Sequence, residues 1–301
     1  DIADARDAVY LDMERSADRQ ILAEPDLYLD EQVGRLVVID EVQFLPDLFK
    51  VLRGQIDRRR RKGFRTGQFL LLGSASRELL QQSAESLAGR VSYLELTPFT
   101  LLEAGGEHLS KLWLRGGFPD SFLAKDDRSS LRWREDFIRT YLERDIPSFG
   151  LRIPAETLRR FWTMLAHSQG GLLNTSTHAS GLGVSSTSVS RYLDLLVDLM
   201  LVRRLQPWHS NAGKRLVKSP KIFIRDAGLL HALLGICSLE ALLGHPVVGG
   251  SWEGYCIENL ISVAPRGTEA SFYRSAAGAE IDLVLKLPAG EIWALEIKRT
   301  T

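Results

Sequence analysis

Short apolar runs alternate with amphipathic helical patterns over the first 100 residues, and this alternation restricts the fold more than any other feature. Two of the runs are Leu36–Ile39 and Phe69–Leu72, and a helical pattern ending near Lys62 separates them. Short buried runs separated by helices predict a parallel β-sheet that is covered on both faces. Ligands of such sheets bind at the carboxyl ends of the strands. We therefore expect an α/β core whose functional residues follow its strands.

Length and charge limit the remaining possibilities. The 301 residues exceed the ~250–300 at which one hydrophobic core stops growing, so about two or three domains are expected. The 38 basic and 38 acidic residues cancel, so a nucleic-acid partner must bind a local patch. Two cysteines without a secretory leader predict neither disulfides nor zinc, and they favour the cytoplasm. Since no apolar run approaches roughly 20 residues, no membrane partner is expected.

Polar side chains follow both apolar runs. Asp40 and Glu41 come directly after the first, and Ser74 lies just beyond the second. In nucleotide hydrolases, an acid at a strand end holds Mg²⁺, and a neighbouring acid orients or activates the attacking water. This pattern predicts Asp40 as the metal ligand, Glu41 as the catalytic acid and Ser74 as a sensor of the γ-phosphate. The alternative is that the two acids cap the helix that follows them.

The loop that would cradle the phosphates of a nucleotide is missing from the sequence. No segment matches G-x-x-x-x-G-K-S/T, which should follow the first strand of such a core. The chain begins at what would be the second strand, so we expect the loop to lie upstream of Asp1; the alternative is that the protein has lost the loop. Without it, the chain is expected to hydrolyse little or no ATP.

A second pattern begins after residue 150. Residues 175–205 read as a short helix, a turn at Gly181–Gly183, a second helix capped near Ser185 and an apolar strand. This order predicts a helix-turn-helix with a wing, in which Arg191 points outward. DNA contact and plain packing both remain open as its role. The basic stretch Lys214–Lys221 follows, and it adds the DNA-binding candidates Lys214, Arg215 and Lys218.

The order of several motifs resembles a large family of prokaryotic AAA-superfamily ATPases. The motifs are "YLDME", "LVVIDEVQ", "LLLGSAS", "ESLAGR", "YLERDI", "PKIFIRDAGLL", "WEGYCIENL", "YRSAAGAEIDLVL" and "LEIKR". In that family a P-loop core is fused to a winged helix and a C-terminal domain of unknown function that looks like a restriction nuclease. The resemblance implies a parallel-sheet AAA-type core at 1–150 that lacks its N-terminal part, a winged helix at 151–220 and an incomplete α/β nuclease-like domain at 221–301.

The resemblance also implies ligands and roles. ATP and Mg²⁺ would bind near Asp40 and Glu41, and the protein would form a homo-oligomer. Arg90 matches an arginine that we expect to contact a phosphate or a neighbouring subunit. The alternative for Arg90 is an ordinary loop arginine paired with Glu85 or Glu95.

The C-terminal strands predict a hairpin whose register follows from its turn. If Pro288–Gly290 is a three-residue loop with glycine in the left-handed position, Leu287 pairs with Glu291. Asp282 then lies opposite Glu296, and like charges placed opposite each other need a proton or a cation between them. A two-residue Ala-Gly turn would instead send the two acids to opposite faces.

An acid on one strand followed by E-x-K on the next is the arrangement of PD-(D/E)xK nucleases. Lys298 supplies the lysine of this pattern, and Glu253 matches the helix acid that completes such sites. The sequence therefore predicts a metal site of Glu253, Asp282 and Glu296 beside Lys298. Three functions remain open: an ATP-driven switch or remodeller acting at DNA, a metal-dependent nuclease, and a catalytically silent scaffold that binds DNA or protein.

Overall fold

The computed structural model describes residues 7–73, 86–148, 153–208, 217–275 and 278–299. The chain divides into two compact units, residues 1–95 and residues 96–301, which we call unit 1 and unit 2.

Unit 1 is built on a parallel sheet, as the alternating runs predict. Its elements are β1 (Ala8–Asp12), α1 (Ser16–Ile21), α2 (Pro25–Glu31), β2 (Leu36–Asp40), a 3₁₀ turn (Val42–Phe44), α3 (Leu48–Arg61) and β3 (Phe69–Leu71). The strands lie in the order β1-β2-β3 and both pairings are parallel. Residues 36–39 of the central strand are all buried, because helices and loops cover both of its faces. The polar carboxyl ends of β1 and β2 therefore lie side by side.

Unit 2 begins with a helical layer. Its helices are α4 (Leu101–Ala104), α5 (Leu109–Arg115), α6 (Pro119–Phe122), α7 (Asp127–Thr140), α8 (Ile146–Ser148), α9 (Ala155–His167), α10 (Thr175–Leu182), α11 (Ser186–Asp198), α12 (Ala227–Leu233), α13 (Leu239–Leu243) and α14 (Val248–Val263), with a 3₁₀ turn at Gly106–His108 and a π-helical segment at Tyr141–Asp145. One apolar cluster contains side chains from α5 through α14, including Trp162, Leu193 and Leu230. The helices before and after residue 150 therefore share a core.

A buried polar network holds α5, α7, α12 and α14 together. The Nε2 and Nδ1 atoms of His231 lie 2.8 Å from Ser251 Oγ and 3.0 Å from the Leu114 carbonyl oxygen. Because a carbonyl can only accept, Nδ1 carries the proton and Nε2 accepts from Ser251. Arg134 donates to the carbonyl of Gly228 at 2.7 Å. Gly228 lies so close to α5 that an added Cβ would be 2.1 Å from the carbonyl oxygen of Arg115.

The segment that was expected to be a helix-turn-helix contains two helices, α10 and α11, with the predicted turn and cap between them. The Oγ atom of Ser185 accepts from the amide of Ser188 and caps α11, and Gly183 ends α10 in the left-handed conformation with φ 69°. Val189, Leu193 and Leu196 are buried. The exposed face of α11 carries Arg191.

The remaining strands of unit 2 form one sheet. They are β4 (Val202–Pro207), β5 (Lys221–Ile224), β6 (Glu269–Arg274), β7 (Glu280–Lys286) and β8 (Ile292–Leu295), in the order β5-β4-β6-β7-β8. The β4–β6 pairing is parallel, and the others are antiparallel. β4, the strand that was expected to form the wing, therefore belongs to one sheet with the C-terminal strands.

The compact units differ from the predicted domain boundaries at residues 150 and 220. The structure places its division between Glu95 and Leu96. Two long-range features account for this. The helices on both sides of residue 150 share one core, and the β4–β6 pairing joins the strands on both sides of residue 220.

The C-terminal hairpin has the register that its turn predicts. Leu283 lies opposite Leu295 and Lys286 opposite Ile292. The amide of Leu287 donates to the Glu291 carbonyl at 2.8 Å, and Gly290 has φ 91°. The three-residue loop is therefore confirmed. The pairing of Asp282 with Glu296 would lie one position beyond the described ladder, which ends at Leu283 and Leu295.

Candidate functional sites

Asp40 is held at the carboxyl end of β2 by two hydrogen bonds. Its Oδ1 accepts from the amide of Glu41 at 2.9 Å, and its Oδ2 accepts from the hydroxyl of Tyr10 on β1. The hydrogen bond to Asp40 raises the pKa of Tyr10 to about 12, so this phenol stays a donor. The Asp40 carboxylate is therefore oriented by a neighbouring strand.

Glu41 has an unusual backbone conformation. Its φ of 50° and ψ of 45° are left-handed, a region that costs an L-residue ~1–2 kcal/mol. Gln43 donates to its carboxylate through Nε2. Burial raises the pKa of Glu41, and the charges of Asp40 and neighbouring acids add to the effect, while the bond from Gln43 opposes it. A strained, partly desolvated acid at a strand end is typical of a functional position.

A third acid, which the sequence analysis missed, lies beside Asp40. Asp12 ends β1 directly opposite Asp40 in the parallel register. Its Oδ1 accepts from the amide of Glu14 at 2.8 Å. The signal was present in the sequence, because "YLD" ends a strand in an acid as "VID" does. The strand-end site therefore comprises Asp12, Asp40 and Glu41.

The end of β3 lies next to this site. The amide of Leu72 donates to the Ile39 carbonyl at 2.9 Å, and the Leu72 carbonyl accepts from the amide of Val42 at 3.1 Å. Ser74, the expected sensor, lies outside the described residues, so its role stays a prediction. Neither acid caps α3 itself, because that helix starts at Leu48 after the N-cap residue Asp47.

Arg90 forms a bidentate ion pair with Asp57 on α3. Its Nε and Nη2 atoms lie 2.8 and 2.9 Å from the two Asp57 oxygens, and its Nη1 donates to the Ala88 carbonyl. Asp57 lies nine residues after Leu48, the first residue of α3, and therefore ~14 Å farther along the helix. Of the two partners expected in the alternative, Glu85 lies outside the described residues, and the carboxylate that the structure pairs with Arg90 is that of Asp57 rather than Glu95.

The DNA-binding candidates differ in how they are placed. Arg191 and Lys218 are exposed, whereas Lys214 and Arg215 lie outside the described residues. Lys221, at the end of the same basic stretch, is only 3% exposed, so its ammonium group cannot contact DNA at the protein surface. The sequence analysis did not identify Arg159 and Arg160 on α9, which line an open pocket of about 510 Å³ together with Gly181 of α10.

Carboxylates do converge in unit 2, but around a lysine that was not predicted. Lys221 Nζ lies 2.8 Å from Glu253 Oε1, 2.6 Å from Glu280 Oε1 and 3.8 Å from Asp282 Oδ1. We call these three acids the acidic cluster. Burial disfavours the charged form of Lys221 and by itself lowers its pKa. The hydrogen bonds to Glu253 and Glu280 outweigh this effect, so the pKa of Lys221 is raised. Burial raises the pKa of Glu253, and the charges of Asp282 and Glu280 add to this effect, while the hydrogen bond from Lys221 opposes it.

The other members of the predicted metal site form a separate pair. Lys298 donates to Glu296, and both side chains are exposed. Asp282 is linked to this segment through the amide of Ile297, which donates to Asp282 Oδ2 at 2.8 Å. Within the described ranges, no group of three or more His, Cys, Asp or Glu side chains is arranged to hold a metal ion. Metal binding by Asp40, Glu253, Asp282 and Glu296 therefore stays a prediction.

Comparisons with known families match three successive parts of the chain. Residues 2–104 match a family described as an AAA domain, so unit 1 contains an AAA-type domain. Residues 106–240 match a domain of unknown function, DUF8612, and residues 248–301 match another, DUF4143. The mixed α/β fold, the parallel sheet and the strand-end acids agree with the AAA match.

Two mycobacterial proteins are similar to most of the chain. They are the uncharacterized proteins Mb2031c of Mycobacterium bovis and Rv2008c of Mycobacterium tuberculosis, and each is 46% identical over 291 residues. The match covers 96% of this chain and 64% of each relative. No solved structure matches the chain significantly. Among the helices that the structure describes, none is long and apolar enough to span a membrane.

Proposed function

We propose that the protein binds and hydrolyses ATP and acts as a DNA-associated switch or remodeller. The observation that carries this proposal is the strand-end site in the AAA domain, where Asp40 is oriented by Tyr10 and Glu41 is held in a left-handed conformation. An AAA domain suggests an ATPase-type function. The cytoplasm is the compartment that we propose for it.

The residues at this site suit a magnesium-nucleotide complex. Carboxylate oxygens are preferred ligands of Mg²⁺, so Asp40 would hold the metal, directly or through water. The bound ion would supply positive charge against the phosphates, where negative charge develops during hydrolysis. Glu41 would accept a proton from the attacking water, and its raised pKa strengthens it as a base. Gln43 would keep the Glu41 carboxylate oriented.

Two further residues belong to the proposal as it stands. Ser74 would sense the γ-phosphate from the end of β3. Arg90 would contact a phosphate or a neighbouring subunit of a homo-oligomer. Because Arg90 is bonded to Asp57 at two points, it would have to leave this partner to act on a nucleotide.

Nucleotide binding tests the ATPase proposal. The sequence has no match to the phosphate loop, so the chain of residues 1–301 should bind Mg-ATP weakly. A version extended upstream of Asp1 to include such a loop should bind it tightly, and Asp40→Asn should weaken this binding. Lys50→Gln on the exposed side of α3 is a matched control. Tight binding of Mg-ATP by residues 1–301 alone would refute the expectation that the phosphate loop lies upstream of Asp1. Weak binding by the extended chain would refute the ATPase proposal.

The DNA association that we propose would use the helix-turn-helix segment as part of a winged helix. Arg191 and Lys218 are exposed, and Arg159 and Arg160 line the pocket beside α10. Arginine and lysine contacts to phosphate release counterions, so DNA affinity should fall as salt rises. The Arg191→Ala change should reduce the salt slope by ~1, whereas Arg132→Ala on the exposed face of α7 should not. Binding that ignores salt would favour the protein-binding scaffold.

A metal-dependent nuclease is the second candidate function. The convergence of Glu253 and Asp282 favours it, because these two acids belong to the PD-(D/E)xK pattern. The separate Glu296–Lys298 pair and the lysine inside the cluster weigh against it. Nicking of plasmid DNA in Mg²⁺ or Mn²⁺ tests this function, and nicking that Asp282→Ala abolishes would establish it.

A further inference from the structure

Lys221 is buried beside the three carboxylates of the acidic cluster. It is the first residue of β5, and its side chain is 4% exposed. Glu253 comes from α14, and Glu280 and Asp282 come from β7. A buried ammonium is stable only when it is paired and hydrogen-bonded. These long-range contacts therefore determine where the Lys221 side chain lies.

Most carboxylate oxygens of the acidic cluster already have a donor or a cation beside them. Lys221 Nζ is hydrogen-bonded to one oxygen of Glu253 and is within ion-pair distance of one oxygen of Glu280. One Asp282 oxygen accepts from the Ile297 amide, and the other faces the ammonium at 3.8 Å. The second oxygen of Glu253, Oε2, packs against Gly170. A Cβ added to Gly170 would lie 3.3 Å from this oxygen.

The charge of the cluster matches a divalent ion better than a single ammonium. Three carboxyl groups face one lysine, and a further cation, Arg274, lies at the edge of the cluster with its Nη1 3.6 Å from Glu280. The carboxylate side chains are 14–27% exposed, so ions in solution can reach them. The ring of Phe272, centred 5.5 Å from Lys221 Nζ, adds an apolar wall with a negative face.

We propose that Lys221 is a tethered cation that occupies the acidic cluster, so that the wild-type cluster excludes Mg²⁺ and Mn²⁺ and removal of the lysine creates a divalent metal site. An ammonium on the same chain is always present at high effective concentration, whereas a free ion must displace it. A metal ion bound beside the ammonium would also be repelled by it at short range. The proposal does not depend on ATP hydrolysis in unit 1.

The test replaces Lys221 with methionine and measures the affinity of the whole chain for Mn²⁺ by equilibrium dialysis. Lys221→Met keeps an apolar side chain of similar length and removes the charge. Its affinity for Mn²⁺ should exceed that of the wild type by at least about tenfold. Lys286→Met is the matched control, because it removes a lysine that is bonded to the exposed carboxylate of Glu269, and it should behave as the wild type does. Glu253→Gln in the Lys221→Met background should lose the gain.

A second measurement guards against misfolding. Loss of the ammonium leaves buried carboxylates unpaired, so Lys221→Met should melt at a lower temperature without metal. Saturating Mn²⁺ should raise its melting temperature by roughly 5 °C and leave that of the wild type unchanged. Equal Mn²⁺ affinity in the wild type and Lys221→Met would overturn the proposal. So would a Lys221→Met chain that Mn²⁺ neither binds nor stabilises.

Discussion

The left-handed backbone of Glu41 leads to a stability prediction with an unusual sign. Glu41→Gly and Glu41→Ala both remove the carboxylate and its bond with Gln43, so they differ only in backbone preference. With φ at 50°, alanine suffers the left-handed penalty of ~1–2 kcal/mol that glycine avoids. The greater freedom of glycine in the unfolded chain returns ~0.5–1 kcal/mol. Glu41→Gly should therefore be more stable than Glu41→Ala by about 0.5–1 kcal/mol.

A control pair at Lys50 should show the opposite order. Lys50 lies within α3 with its side chain exposed, where alanine is favoured over glycine by about 1 kcal/mol. Urea unfolding followed by far-UV circular dichroism measures both differences. Tryptophan fluorescence does not, because all six tryptophans lie between Trp113 and Trp293, in unit 2. If Glu41→Ala proved at least as stable as Glu41→Gly, the strain assigned to Glu41 would be refuted.

Two further predictions concern the buried network of unit 2. Gly228→Ala would place a Cβ 2.1 Å from the carbonyl oxygen of Arg115, so it should destabilise the protein by ~1–3 kcal/mol, whereas Gly249→Ala, with open space around it, should be neutral or stabilising in thermal unfolding. Equal melting temperatures would contradict this. Burial lowers the pKa of His231 to about 4, so its contribution to stability is present above the unfolded value near 6.5 and is lost as the pH falls toward 4. His231→Gln should therefore lose less stability than the wild type between pH 7 and pH 4.5, and an equal loss would contradict the assignment.

Features set by neighbouring residues could be predicted from the sequence. The Pro288–Gly290 loop fixed the pairing of β7 with β8, because a turn of known length leaves one register. Periodicity and a capping serine were enough to predict the buried face of α11. The strand-end position of Asp40 also follows from its local pattern, a buried run that stops at an acid.

Features made by distant residues could not be predicted in this way. In the sequence, Lys221 cannot be distinguished from the other cations of its basic stretch. Its partners Glu253 and Glu280 lie 32 and 59 residues further along the chain. The parallel pairing of β4 with β6 joins strands that a long helical segment separates, so the predicted domain boundary near residue 220 falls within one sheet. No local pattern marks Tyr10 as a partner of Asp40: the register places Tyr10 opposite Val38, and its hydroxyl reaches Asp40 at the end of the neighbouring strand.

The most direct test of the proposed ATPase activity is the turnover of Glu41→Gln. In the chain extended to include a phosphate loop, this change keeps the size of the side chain and its capacity to contact Gln43, but it removes the proposed base. Mg-ATP affinity should stay within about threefold of the unmodified value, and the hydrolysis rate should fall by ~100-fold or more. Unchanged turnover in Glu41→Gln would contradict the role of the strand-end site in the chemistry.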